Sequence, residues 1–216
     1  MPRRVAFSQT GQDIFAEYIL KKHRKIPPKG EYAGCFLDVG CCFPIKVSNT
    51  FFFYERGWRG IRVDANPAME PLFAEARPED KFVCAAIGEE EAVQPFFLFS
   101  NPQLNTFDPA RKLKLPNSFQ EEISIQVQRL ETILSTHLGE GRPIDFLSLD
   151  IEGLELAALK SLNLDRYRPS LITLEMICSI AKVAQQAPTK YLVERGYELI
   201  SHTGHDASFI DEAPSS

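Results

Sequence analysis

The sequence predicts an α/β fold built on a doubly wound, mostly parallel sheet that ends in an antiparallel hairpin. Three observations predict it. Short apolar runs alternate with segments of helical periodicity, the β-α-β-α-β order of parallel strands joined by crossover helices. The runs between residues 145 and 176 lack period-two alternation, which suits strands covered on both faces. The last two runs are separated by the polar "SHTGHDA" beginning at Ser201, which reads as a hairpin turn.

Taken in order, residues 11–23 space Ile14, Phe15, Tyr18 and Ile19 as one face of an amphipathic helix, within an N-terminal helical segment covering 1–33. Strands follow at 35–39 (CFLDV), 60–65 (GIRVDA), 81–87 (KFVCAAI), 145–150 (DFLSLD), 170–176 (SLITLEM), 197–202 and 207–210. Helices fall between them, at about 48–56 after the capping type Ser48, at about 67–76 opened by Pro67, at 151–162 and at 181–195. The interval 88–144 exceeds a minimal crossover. Its runs "AVQPFFLFS" (92–100) and "EISIQVQRL" (122–130) predict an inserted strand pair around 92–128, joined by a long polar loop near the site. The whole chain, 1–216, reads as a single domain.

Composition narrows the function classes. With 44% hydrophobic and 25% charged residues the chain is globular, and a net charge of −5 offers no general attraction to nucleic acid or an anionic membrane. The basic run "KKHRKIPPK" (21–29) reads as a solvated helix C-terminus stopped by Pro27 and Pro28, with a polyanion site as the alternative. Five cysteines without a CxxC pair argue against a disulfide framework and for a reducing, cytoplasmic compartment. "MPRRVAFSQTGQD" has no apolar stretch behind its arginines, and no run approaches the roughly 18 apolar residues of a membrane span. No nucleic-acid and no membrane partner is expected.

Two strand ends resemble half of a dinucleotide-binding pattern. Asp38 sits at the C-terminal end of the first strand, Gly40 opens the turn after it, and Asp64, with Asn66 and Pro67 after it, ends the second, where a carboxylate accepts ribose hydroxyls. The glycine-rich pyrophosphate loop is missing, since Cys41, Cys42, Phe43 and Pro44 follow Gly40. A ligand with ribose and adenine, a positive amino-acid end and no phosphate satisfies both facts, and S-adenosylmethionine is such a ligand. Taken alone, Asp38 and Gly40 also read as a capped structural turn.

A second acidic group lies in "IDFLSLDIEGLELAALKSL" (144–162). Asp150 ends a strand and faces the cleft, where a carboxylate accepts a hydroxyl proton or holds a divalent cation. Glu152 and Glu155 open the following helix, where capping alone also explains them. Glu175 ends the next strand and forms with Asp150 a candidate acid/base pair, or a candidate Mg²⁺ pair. His202 and His205 sit in the predicted hairpin turn, an unsuitable frame for zinc, and His137 reads as a surface residue. No Walker A loop, GxSxG or GxGxxG is present.

The combination of "SQTGQDIF" (8–15), "SNTFFFYERGWRGIRVDANP" (48–67), "NTFDP" (105–109) and "IDFLSLDIEGLE" (144–155) resembles the FkbM-type S-adenosylmethionine-dependent methyltransferases. The resemblance runs from residue 8 to about 200. It implies a class I methyltransferase (Rossmann-like) fold of seven strands, and O-methylation of a hydroxyl on a small-molecule, sugar, glycan or natural-product acceptor. Residue by residue, it implies cofactor contacts from Asp38, Gly40, Ser48, Asn49, Asp64 and Asn66, to which Ala86 on the third strand is added. It matches Asp150 and Glu152 to the catalytic DxEGxE motif, with Glu175 beside them. Asp64 stands where the family more often has glutamate, and Cys41 replaces an alanine of the family loop. Competing readings are a non-catalytic scaffold of this fold, a nicotinamide-dependent oxidoreductase, and a methyltransferase acting on nitrogen or nucleic acid.

Overall fold

A computed structural model describes residues 5–23, 25–27 and 31–212. Arg24, Pro28 and Lys29 of the basic run, the N-terminal arginines and the last four residues lie outside the described residues. The chain opens with helix α1 (Gln12–Lys22), which carries Lys21 and Lys22 in its last turn and buries Ala16, Ile19 and Leu20. A parallel core follows: β1 (Cys35–Val39), the short α2 (Phe51–Tyr54), β2 (Arg59–Asp64), α3 (Met69–Ala76) and β3 (Lys81–Cys84). Every residue of β1 is buried, so this strand has neighbours on both edges and both faces.

An inserted three-stranded sheet comes next. It comprises β4 (Ala86–Ile87), β5 (Ala92–Phe99) and β6 (Phe119–Gln128), in the order β4-β6-β5. Its loop holds a 3-10 turn at Pro102–Leu104 and α4 (Pro109–Lys114), capped by the Asp108 carboxylate accepting from the Ala110 amide at 2.8 Å. Helix α5 (Leu130–His137) leads back to β7 (Phe146–Leu149), followed by α6 (Glu155–Lys160), β8 (Leu171–Glu175), a 3-10 turn at Ile180–Gln185, α7 (Ala187–Val193), β9 (Tyr197–His202) and β10 (Asp206–Asp211).

The main sheet has seven strands in the order β3-β2-β1-β7-β8-β10-β9, parallel except for β10, which runs antiparallel to both β8 and β9. The doubly wound sheet, its terminal hairpin and the inserted strand pair stand as the sequence predicts. The order reverses at β1, which pairs with β2 on one side and β7 on the other. Ligands of such sheets bind beyond the strand C-termini at that reversal. Among the described residues no helix is long and apolar enough to cross a membrane.

Four predicted elements change, each for a local reason. The strand expected at 81–87 divides at Ala85, whose amide donates to the Asp64 carbonyl at 3.1 Å, while Ala86 and Ile87 turn to pair with Val127 and Gln128 in the inserted sheet. The helix expected at 48–56 shrinks to Phe51–Tyr54, because Thr50 sits at its cap with its side chain committed elsewhere and Gly57, at φ 84°, ends the turn that follows. The helix expected at 151–162 starts only at Glu155. Glu152 and Gly153 take left-handed φ of 55° and 98°, and the Glu155 carboxylate accepts the Ile151 and Gly153 amides at 3.2 and 3.1 Å. The helix expected at 181–195 breaks at Gln186, which is extended, into a 3-10 turn and α7, whose first turn contains Pro188.

Candidate active site

The C-terminal ends of β1, β2, β7 and β8 converge on a cavity of about 350 Å³. Asp38, Gly40, Asn49, Asp64, Ala86, Asp150, Glu152 and Glu175, all chosen from the sequence, line it together. Opposite them stand Gln9 and Gln12 from the N-terminal segment, and Phe96, Gln103, Asn105 and Phe107 from the insertion. The volume falls in the range of small-molecule and cofactor sites.

Gly40 is required by the chain itself. Its φ is 78°, and a Cβ placed there would lie 1.7 Å from the carbonyl oxygen of Asp150. The close approach that only glycine allows here joins the loop after β1 to the loop after β7. The Asp150 amide donates to the Val39 carbonyl at 2.9 Å, closing the same junction.

Ser48 and Asn66, expected at the cofactor, do not line the cavity. The Ser48 hydroxyl accepts the Phe51 amide at 3.1 Å, and the Asn66 carboxamide oxygen accepts the Ala68 amide at 3.0 Å. Both serve the chain, as cap and turn residues do. Asn49 reaches the cavity instead, and its amide donates to the Ser148 hydroxyl at 3.0 Å.

Asp64 is held by two backbone donors: Asn66 to Oδ1 and Cys42 to Oδ2, each at 2.8 Å. Each oxygen keeps acceptor capacity for a hydroxyl. Burial pushes this carboxyl up to about 6, against the pull of those two amides. Burial also raises Asp38, which accepts the Thr50 hydroxyl at 2.6 Å.

Asp150 and Glu175 stand at the C-terminal ends of the adjacent parallel strands β7 and β8, and both line the cavity. Burial pushes Asp150 up to about 8, and the neighbouring charges of Glu175 and Glu152 push in the same direction. Burial and the charge of Glu152 take Glu175 to about 7. Carboxyls poised near neutrality suit proton transfer at physiological pH. Among the described residues, no group of three or more His, Cys, Asp and Glu side chains is arranged to hold a metal ion. Burial raises the thiols of Cys41 and Cys42 too, that of Cys42 to about 12, which disfavours the reactive thiolate form.

Two properties of the cavity stand out physically. Its charged lining residues are Asp38, Asp64, Asp108, Asp150, Glu152 and Glu175, all acidic. Three non-glycine residues with positive φ, Cys42 at 45°, Val47 at 59° and Glu152 at 55°, also lie on its wall. A β-branched residue such as Val47 enters that region only under compulsion, and such strain gathers at functional sites.

The methyltransferase FkbM domain matches residues 38–199, from the carboxylate at the end of β1 into β9. The chain belongs to this family. The FkbM match spans the whole cavity wall apart from Gln9 and Gln12, which the N-terminal segment contributes. Among solved structures, the O-methyltransferase from Bacillus cereus is 11% identical, with 97% of this chain and 84% of that one covered at a TM-score of 0.46. The O-methyltransferase TomG from Streptomyces achromogenes is 10% identical, with 95% and 82% covered at 0.49. A search of curated proteins returned no match.

Several residues of this FkbM site carried a motif but no assigned role in the sequence. Gln12 donates to Asp206 at 2.7 Å and Thr10 donates to the same oxygen at 3.2 Å, which docks "SQTGQD" onto the hairpin strand beside Glu175. Phe107 of "NTFDP" packs its ring against that of Phe96 of the insertion, with centroids 4.8 Å apart and the planes tilted by 46°. No local pattern links these positions, because their partners lie far along the chain.

Proposed function

We propose that this domain transfers the methyl group of S-adenosylmethionine to a hydroxyl of an uncharged small-molecule or glycan acceptor. The acidic lining carries the reading. A pyrophosphate ligand would find no cationic side chain in a cavity whose charged lining residues are all acidic, whereas a sulfonium and an ammonium favour the ionised form of those carboxyls.

The residues present fit that donor. Asp64 offers two positioned oxygens for the ribose hydroxyls, Ala86 and Phe96 provide apolar wall near it, and Asp38 faces the amino-acid end. S-adenosylmethionine, when bound, supplies an electrophilic methyl group. The chain's part is alignment and proton handling. Asp150, with Glu175 beside it, accepts the proton of the attacking hydroxyl, and Gln9, Gln12 and Gln103 orient the neutral acceptor. The same carboxylates disfavour a phosphorylated acceptor or nucleic acid.

Isothermal titration with S-adenosylmethionine and S-adenosylhomocysteine tests the donor. Dissociation constants of roughly micromolar order are expected, and failure of both ligands to bind would sink the reading. Release of S-adenosylhomocysteine against a panel of neutral and anionic sugars tests the acceptor, with turnover expected only on the neutral set.

A further inference from the structure

Behind the cavity wall the chain buries two guanidinium groups almost completely, Arg62 at 1% and Arg77 at 0% exposure. Asp80 serves both. Its Oδ2 lies 2.8 Å from Arg77 Nη2 and 3.2 Å from Arg62 Nε, and its Oδ1 accepts the Gly60 amide at 2.9 Å. One carboxylate therefore faces two cations. The next anionic group is Asp38, and Thr50 stands between it and Arg77.

The geometry of Thr50 leaves nothing spare. Its fully buried hydroxyl donates its single proton to Asp38 Oδ2 at 2.6 Å and accepts from Arg77 Nη1 and Nη2, both at 3.1 Å. A hydroxyl has one proton and two lone pairs, so its capacity is fully used. A threonine at a helix start ordinarily spends its oxygen on the helix amides, but here Ser48 takes the Thr50 and Phe51 amides at 3.4 and 3.1 Å. Thr50 is thereby released to connect Arg77 to Asp38.

We propose that Thr50 and Arg77 are positioning residues, which hold the Asp38 carboxylate in the orientation that receives the cationic amino-acid end of the methyl donor. This rests on the donor reading above. Burial raises Asp38, and the Thr50 hydrogen bond followed by the Arg77 charge works against that rise. Charge-assisted hydrogen bonds of this kind are short and directional.

The test compares two ligands on five proteins. S-adenosylhomocysteine carries the ammonium, and methylthioadenosine keeps the nucleoside but lacks the amino-acid end. Binding of each is measured to the wild type, Thr50→Val, Thr50→Ser, Asp38→Asn and the Asp38→Asn/Thr50→Val double variant. Thr50→Val is expected to lose about tenfold or more in S-adenosylhomocysteine affinity while methylthioadenosine stays within about twofold. Thr50→Ser restores binding, and in the Asp38→Asn background Thr50→Val costs little more. Equal losses for both ligands would show a merely structural role and overturn the proposal, as would unchanged affinity or strictly additive losses. A wild type that binds methylthioadenosine no more weakly than S-adenosylhomocysteine removes the role of Asp38 and leaves the nucleoside site standing. A wild type that binds neither overturns the donor reading and this proposal with it.

Discussion

Gly40 and the backbone carbonyl of Asp150 meet across the switch point of the sheet, so closely that a single added carbon on Gly40 would stand 1.7 Å from that oxygen. The contact joins the loop that follows Asp38 at the end of β1 to the loop that carries the candidate base. Gly40→Ala would add left-handed strain, at φ 78°, to a backbone clash that no side-chain rotation relieves. Each costs about 1–3 kcal/mol. A loss of roughly 3 kcal/mol or more is expected in chemical denaturation, a large share of a typical domain's stability. A wild-type denaturation midpoint would show that the two loops separate freely.

Asp150 is the proposed base and burial raises it to about 8, so removing its proton affinity should affect turnover more than donor binding. Asp150→Asn keeps the shape and removes the base. Turnover should fall about a hundredfold or more, with S-adenosylhomocysteine affinity within a few-fold of wild type. Full activity in this variant would exclude Asp150 as the base. Glu175→Gln should cause a smaller fall, and it should lower the apparent pKa of Asp150 in the rate profile, since Glu175 is the largest charge contribution to its rise.

The sheet was legible in the sequence because its strands are short apolar runs with carboxylates at their ends, and Asp38, Asp64, Asp150 and Glu175 do meet at one cavity. What stayed hidden depends on contacts far apart in the chain. Ser48 precedes a helix and looks like a cofactor contact, yet its hydroxyl is used by the backbone. Thr50, two residues on, belongs to the "SNTFFFYERGW" segment but carries no assigned role there, and its proposed role appears only once Arg77 and Asp38 are placed around it. Glu152 reads as a first-turn helix residue until Gly153 is seen to delay the helix start to Glu155.

The raised carboxyls make a thermodynamic prediction about pH. In the unfolded chain Asp64 and Asp150 release their protons near 3.8 and Glu175 near 4.5, whereas in the ligand-free fold they do so at about 6, 8 and 7. Between these limits the native state holds more protons than the unfolded state, so this contribution to stability is fully present below about pH 4 and is lost progressively as pH rises to about 8. The melting temperature of the ligand-free protein should therefore fall over that window, by about 5 °C. A bound cationic donor favours the ionised carboxylates, so the melting-temperature gain from S-adenosylmethionine should increase as pH rises. A gain that shrinks with pH would contradict a cationic ligand in this cavity.

The last prediction concerns the insertion. Arg111 on α4 donates through Nη1 to the Leu104 carbonyl at 3.2 Å, and its Nη2 stands 3.5 Å from Glu152 Oε2. One side chain thus ties the loop carrying Gln103, Asn105 and Phe107 to the strained residue on the opposite wall. The pair is partly exposed, at 28% and 45%, so its worth to stability is small, about 0.2–1 kcal/mol. Its effect should appear in kinetics instead, because the contact links the insertion loop to the wall of the cavity. Arg111→Gln should leave the melting temperature nearly unchanged and raise the dissociation rate of S-adenosylhomocysteine several-fold. In the wild type that rate should also rise between about 0.05 M and about 0.5 M salt, where screening weakens exposed pairs, and the dependence should vanish in the variant. Stopped-flow displacement measures both rates, and an identical salt dependence in the two proteins would show that the insertion opens without breaking the Arg111–Glu152 contact.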